Sequence, residues 1–252
     1  MLLAIDVGNT HVVIGLFDRE HLVHSWRVSS RREMTADELL VLFAGLLGGN
    51  VHRIDDAVVG SVVPPLTASL LEALAKLTGA RPLEVAPGVK TGLKIRMDNP
   101  QEVGADRILN AVAANARYEG PTIVVDFGTA TTLDVVTADA EYLGGIITPG
   151  PRLGAEALSL RAARLPRVDL SVPPRVLGRN SIDAIRSGLL HGHAAMIDGL
   201  VKRIEAEVGD VRTIVVTGGL AEVIAPLMTR VDANAPDLTL EGLRLVHARN
   251  RP

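Results

Sequence analysis

Leu2-Leu3-Ala4-Ile5-Asp6-Val7-Gly8-Asn9-Thr10, followed at once by His11-Val12-Val13-Ile14-Gly15-Leu16-Phe17, decides how this chain folds. Two apolar, β-branched runs flank a short polar turn. They read as a β-hairpin, because Gly8 and Asn9 tolerate the backbone angles of a tight turn. Asp6 falls at the strand end. The amides of Gly8, Asn9 and Thr10, beside a hydroxyl and a carboxylate, can hold phosphate oxygens directly and a magnesium ion through water. A second copy stands at Thr122-Ile123-Val124-Val125-Asp126-Phe127-Gly128-Thr129-Ala130-Thr131-Thr132-Leu133-Asp134-Val135-Val136, again strand, Asp-x-Gly, hydroxyls and strand. Two such hairpins facing each other would wall one phosphate-binding cleft between two similar lobes. Thr217-Gly218-Gly219 adds a third glycine turn to that set.

Composition permits two lobes, since 252 residues at 47% hydrophobic can fill two modest cores. Aromatic residues make up only 2%, so Val, Leu, Ile and Ala must build them. A formal charge of −3 offers no general attraction to nucleic acid or to an anionic membrane, which favours a small-molecule partner. The lack of cysteine excludes disulfides and thiolate chemistry and fits a cytoplasmic protein. Asp6 interrupts the first apolar run and no basic leader precedes it, so a signal peptide is not expected; nor is a membrane span, because charge or proline breaks every run of that length.

Around the hairpins the pattern is α/β. His21 to Val28 alternates as a third strand of a meander. Thr35 and Glu38 form a capping box before a helix with Leu39, Leu40, Phe43, Leu46 and Leu47 on its apolar stripe. Ala57 to Val63 is a buried strand ending at Pro64-Pro65, and a helix from Leu66 to Leu77 stops at Gly79. Residues 88–103 mix one possible strand with loop before Gly104-Ala105-Asp106-Arg107 opens a helix to about Tyr118. Gly120-Pro121 divides the chain into lobes 1–119 and 120–252. Beyond the second hairpin, the glycines of Tyr142 to Gly150 suggest backbone packed against a ligand or another strand. Helices are expected over 154–165, 181–208 and 221–228, with a buried strand over 213–220 that ends in a glycine turn.

Single features have plainer readings. Asp106 serves equally as a first-turn acid favoured by the helix dipole, with Arg107 a solvated neighbour. His191-Gly192-His193 resembles a metal pair, but positions two apart on a helix point to different faces. His11 reads as a hairpin residue rather than a catalyst, and Met34, Met97, Met196 and Met228 as gap fillers.

Together these stretches resemble the type III pantothenate kinases, of the sugar kinase, actin and heat-shock ATPase superfamily. The carriers are Asp6-Val7-Gly8-Asn9-Thr10, Gly104-Ala105-Asp106-Arg107, Asp126 to Thr132, Gly144 to Gly150 and Thr217-Gly218-Gly219. The resemblance implies two similar actin-like (ribonuclease H-like) lobes, with mixed sheets flanked by helices and a cleft between. It implies that Asp6, Val7, Gly8, Asn9, Thr10, His11, Val12 and Val13 form the ATP phosphate loop and that Thr129 touches ATP. Met97, Gly104, Ala105, Asp106, Arg107 and Ser181 would contact pantothenate, with Asp106 as proton acceptor. Asp126 would hold a monovalent cation, K+ or NH4+, and Mg2+ would accompany ATP. The chain departs from the family at Met97, where a Tyr is usual, and keeps a hydroxyl at Ser181. The implied reaction is phosphorylation of pantothenate, the first step of coenzyme A synthesis, by a homodimer whose substrate site is completed across its interface. The other readings are a phosphohydrolase of the same superfamily, an accessory protein of transcription, and an actin-like or heat-shock-like ATPase module, for whose client or filament domain 252 residues leave little room.

Overall fold

Both arms of the opening hairpin are near-continuous apolar runs. In the computed structural model, which describes residues 1–162 and 164–251, they form the centre of a five-stranded sheet. Strands β1 (Leu2–Val7), β2 (His11–Asp18) and β3 (His21–Ser29) make an antiparallel meander. After helix α1 (Ala36–Leu47), β4 (Asp56–Ser61) returns parallel to β1. After α2 (Pro64–Thr78), the short β5 (Leu83–Glu84) extends the parallel side. The chain continues through β6 (Lys94–Ile95) and α3 (Ala105–Arg117) to a second meander of β7 (Thr122–Phe127), β8 (Ala130–Val136) and β9 (Glu141–Pro149). Then follow α4 (Pro151–Arg161), α5 (Ser181–Val208), β10 (Thr213–Thr217), α6 (Ala221–Ile224), β11 (Ala233–Asn234) and α7 (Leu238–Asn250). β10 lies parallel to β7, as β4 does to β1. The sheet orders β3-β2-β1-β4-β5 and β9-β8-β7-β10-β11 therefore repeat one plan, with β6 added at the β9 edge of the second.

Two compact units result. The first holds Met1–Leu93, Asp98–Ala113 and the chain from Asp237 onward; the second holds Lys94–Met97 and Ala114–Pro236. The terminal helix thus counts with the first unit, whereas the division at Gly120-Pro121 assigned it to the second half. A linear cut cannot register this, because the partners of α7 are β1, β2 and β4.

In the first unit one sheet face, with Leu3, Ile5, Val7, Ile14 and Val59, packs against Leu39, Phe43 and Leu47 of α1 and Leu66, Leu70 and Leu74 of α2. Burial contributes roughly 1.5–3 kcal/mol per large apolar side chain, so an aliphatic layer of this kind needs few aromatics. The capping box forms as expected: the Thr35 hydroxyl accepts from the Glu38 amide at 3.3 Å, and Glu38 accepts from the Thr35 amide at 2.8 Å. On the other face Ala4, Gly15 and Gly60 are small. A Cβ on Gly15 would stand 2.9 Å from Leu240, and one on Gly60 would stand 2.6 Å from Leu109, so α7 and α3 lie close to the strands. In the second unit Ile123, Val125, Phe127, Leu133, Ile214 and Val216 pack against Leu190, Ala194, Ile197 and Val201 of α5.

Three local expectations change. Gly8 is not among the glycines with positive φ; it is needed because a Cβ there would stand 3.1 Å from the His11 carbonyl oxygen, to which its amide donates at 2.9 Å. The helix expected over 154–165 starts at Pro151 and ends at Arg161, since proline suits the first helical turn. The helix expected over 221–228 is α only to Ile224 and continues as a 3-10 turn at Ala225–Leu227, where Pro226 has no amide to donate.

Candidate active site

The first Asp-Gly turn is held from both sides by backbone. Beyond the bond between Gly8 and His11, the Val62 amide donates to the Val7 carbonyl at 3.0 Å and the Ser30 amide to the Thr10 carbonyl at 2.9 Å. Asn9 and Thr10 are exposed, while Asp6, Gly8, His11 and Val13 are half-buried. Arg32 donates to Asn9 Oδ1 at 3.4 Å. Val7 and Val12, 0% and 8% exposed, belong to the core, which leaves them only backbone atoms to offer a ligand. Asp6 sits opposite Val13 on β2 and Gly60 on β4.

Gly60 brings the second candidate loop to this turn. In parallel strands, register partners present the same sheet face, so the space a Gly60 Cβ would fill adjoins the Asp6 side chain's face. That space is occupied by Leu109, with the Ala105 Cβ 4.0 Å away, which places the first turns of α3 over the end of β4. Gly104-Ala105-Asp106-Arg107 and Asp6 are therefore gathered on one face of the first unit. Asp106 Oδ1 accepts from the Arg107 amide at 2.8 Å, a first-turn bond, and stands where a Gly104 side chain would be. Arg107 is 9% exposed rather than the solvated neighbour that a plain first turn would carry. Asn110, one turn on, is buried and accepts from the Thr239 hydroxyl at 2.7 Å.

In the second unit two glycine turns, at Gly150 and Gly218, converge on Asp126 to Thr129. The Gly150 amide donates to the Thr129 carbonyl at 3.1 Å, and a Cβ on Gly150 would stand 2.7 Å from the Gly128 carbonyl oxygen. Gly218, at φ +92°, has Asp126 Oδ1 where its own side chain would be, and the Leu220 amide donates to the Phe127 carbonyl at 3.2 Å. Asp126 is half-buried and Thr129 exposed. The glycines of 142–150, expected against a ligand or a strand, thus meet other chain: Gly144, at φ +125°, also receives the Met97 sulfur 3.1 Å from where its Cβ would stand. Ser181 lies elsewhere. It is exposed on the first turn of α5, capped by Asn180, which accepts from the Asp183 amide at 2.9 Å. His193 of α5 meets Thr131 beside the turn, and Ser181 lies twelve residues earlier, about 18 Å from His193 along the helix axis at 1.5 Å per residue.

Two buried polar groupings escaped the sequence reading. His193 Nε2 lies 2.9 Å from the Thr131 hydroxyl, and burial pushes the imidazole pKa down, so it is neutral at pH 7. Asp134, 1% exposed, accepts from the Thr132 hydroxyl at 3.0 Å and from the Tyr142 hydroxyl. The only local sign of them was an acid and two hydroxyls inside an otherwise apolar strand. Among the described residues, no three His, Cys, Asp or Glu side chains gather as a metal-binding group, His191 and His193 included.

A duplicated meander-plus-parallel plan with Asp-Gly turns at the strand ends is the actin-like sugar-kinase fold. A ROK family glucokinase from Streptomyces griseus, solved with glucose and AMPPNP, superposes with TM-score 0.53 at 14% identity over 99% of each chain. A Campylobacter jejuni protein described as a Baf family transcriptional activator superposes with TM-score 0.63 at 20% identity over 98% of each. At those identities the likeness establishes the fold alone. Within it, the chain belongs to the type III pantothenate kinase family, whose profile matches residues 2–203. The type III pantothenate kinase of Moorella thermoacetica is 49% identical over 253 residues, spanning 99% of this chain and 100% of the relative. The chain is accordingly a nucleotide-using phosphotransferase.

Proposed function

We propose that the chain transfers the γ-phosphoryl group of ATP to the primary hydroxyl of pantothenate, yielding 4'-phosphopantothenate, the first step of coenzyme A synthesis. Kinship at 49% identity along the full length of a pantothenate kinase carries the reading. Phosphoryl transfer asks a protein chiefly for positioning and charge neutralisation. The backbone of Asp6 to Val13 cradles the ATP phosphates, and Thr129 adds a hydroxyl to the nucleotide. Gly104, Ala105, Arg107, Met97 and Ser181 contact pantothenate. Asp106 accepts the hydroxyl proton as the oxygen bonds to the γ-phosphorus and the bond to the bridging oxygen of ADP breaks. The Arg107 amide, donating to Asp106 Oδ1, orients that carboxylate.

The oxygen-only donors around each Asp-Gly turn suit hard cations. Asp6 would orient the water shell of Mg2+, and Asp126, whose Oδ1 takes the side-chain space of Gly218, would hold K+ or NH4+. These ions supply neutralisation of the phosphate charge. A homodimer belongs to the same reading: α4 buries only Pro151, and Leu153, Leu158 and Leu160 are 38%, 37% and 76% exposed. That surface suits cover by a second copy. A cytoplasmic location without nucleic-acid or membrane partners agrees with the charge of −3 and the absence of cysteine. Among the described residues no helix is long and apolar enough to cross a membrane. The hydrolase and transcription readings are not favoured by a full-length match to kinases.

The test is ATP consumption by the purified chain with and without pantothenate. Turnover should require pantothenate and yield its monophosphate. Equal ADP release in its absence would replace the reading with a hydrolase.

A further inference from the structure

The turn assigned to the ATP phosphates brings no cation of its own. Residues 6–13 contain the Asp6 carboxylate and neither lysine nor arginine, although a nucleotide's phosphates arrive with several negative charges. Phosphoryl transfer depends on neutralising that charge, and a guanidinium suits the task because its planar fork matches two phosphate oxygens at once.

The chain delivers a guanidinium from the end of β3. His11 and Ser29 are register partners, and the Ser30 amide carries the pairing one residue further by donating to the Thr10 carbonyl at 2.9 Å. The backbone at Ser30 is therefore tied to the phosphate turn itself. It then bends, with the Met34 amide donating to the Arg31 carbonyl at 3.3 Å, and is tied again at Thr35 by the capping box of α1. Arg31 and Arg32, both exposed, thus stand on a short span pinned at each end.

The two arginines serve different neighbours. The Glu38 carboxyl on α1, held below its ordinary value first by the Thr35 amide and hydroxyl, is lowered further by the charge of Arg31. Arg32 reaches back to the turn instead, where its Nη2 donates to Asn9 Oδ1 at 3.4 Å. Among the described residues no carboxylate pairs with Arg32. One long bond between exposed groups does not offset the entropy of fixing an arginine side chain, so the contact with Asn9 adds little to stability. What it does is leave most of the five N–H donors of the fork beside the amides of Asn9 and Thr10.

We propose that Arg32 is a phosphate-binding residue of the ATP site, its guanidinium donating to oxygens of the phosphates that the 6–13 turn cradles. The inference rests on the reading of Asp6 to Val13 as the ATP phosphate loop. Arg32 brings to that loop the positive charge its own residues lack, and the pinned span keeps the charge there before the nucleotide arrives. The contact is to phosphate, so it concerns neither the adenosine part of ATP nor pantothenate.

The test uses the full chain with Arg32→Ala, Arg32→Lys and, for comparison, Arg31→Ala. The KM values for ATP and pantothenate, inhibition by adenosine and the Tm are measured for each. Loss of a charge-assisted contact should raise the ATP KM about 5- to 30-fold in Arg32→Ala, with adenosine inhibition, the pantothenate KM and the Tm retained. Arg32→Lys, which keeps the charge but not the fork, should fall between Arg32→Ala and the unmodified chain. Arg31→Ala should leave the ATP KM within about 2-fold, because the charge of Arg31 acts on α1. An unchanged ATP KM in Arg32→Ala, an equal rise in Arg31→Ala, or loss of adenosine inhibition along with ATP affinity would overturn the assignment. Asp6→Asn tests the reading beneath it. If that variant uses ATP as well as the unmodified chain, the 6–13 turn is not the phosphate loop; if it is impaired while Arg32→Ala is not, Arg32 alone is removed from the site.

Discussion

Asp106 faces two demands. One oxygen accepts the Arg107 amide, a bond that serves the start of α3, while the proposed chemistry needs the carboxylate as a proton acceptor. Asp106→Asn separates them, because an amide oxygen still accepts from Arg107 but cannot take a proton. It should lower kcat by about 10²- to 10⁴-fold with ATP binding and Tm retained. Full kcat would assign Asp106 to the helix start. Asp126 poses a related question. In the proposed reading the half-buried Asp126 holds a monovalent cation, which would offset the repulsion between its carboxylate and the ATP phosphates. Replacing K+ by Na+ or a bulky organic cation at constant Mg2+ should reduce the rate. Equal rates in all three salts would mean that Asp126 holds no separate ion.

At the scale of elements, α5 and β8 are joined by the buried pair of His193 and Thr131. Burial lowers the folded-state pKa of His193 from its ordinary 6.5. Above 6.5 the ring is neutral in the folded and the unfolded chain alike. Below it the unfolded chain binds the proton first, so stability falls from there towards the folded-state pKa. Thermal melts from about pH 8 to about pH 5 should therefore show a loss below the mid-sixes that His193→Gln flattens. Parallel curves for the two chains would remove His193 as the cause. The carboxylates held below their usual range, such as Asp169 beside Arg186, act in a separate, more acidic window.

For the whole molecule, two copies of one sheet plan leave α4 with an apolar outer surface that neither the hairpins nor the helix caps explain. Sedimentation should give a species of twice 26.7 kDa, and Leu160→Asp should shift it towards monomer with a lower kcat/KM for pantothenate. An active monomer at assay concentration would exclude a shared substrate site. The terminal helix shows the same reach across the chain, since Asn250 meets Lys90 across 160 positions.

By itself the sequence determined the first meander, the second hairpin, the capping box at Thr35, the stop at Gly79 and the duplicated Asp-Gly turns that identify the family. All of these depend on side-chain period and turn chemistry within a few residues, which neighbours along the chain dictate. The fold class was legible for that reason. Only the tertiary structure decided that Gly60, as the register partner of Asp6, admits the first turns of α3. It also decided that Gly218 yields its side-chain space to Asp126, that His193 lies under Thr131, and that α7 returns to the first unit. Those relations join residues tens to hundreds of positions apart. They follow from strand order and close backbone approach, which no local pattern of apolar and polar residues encodes.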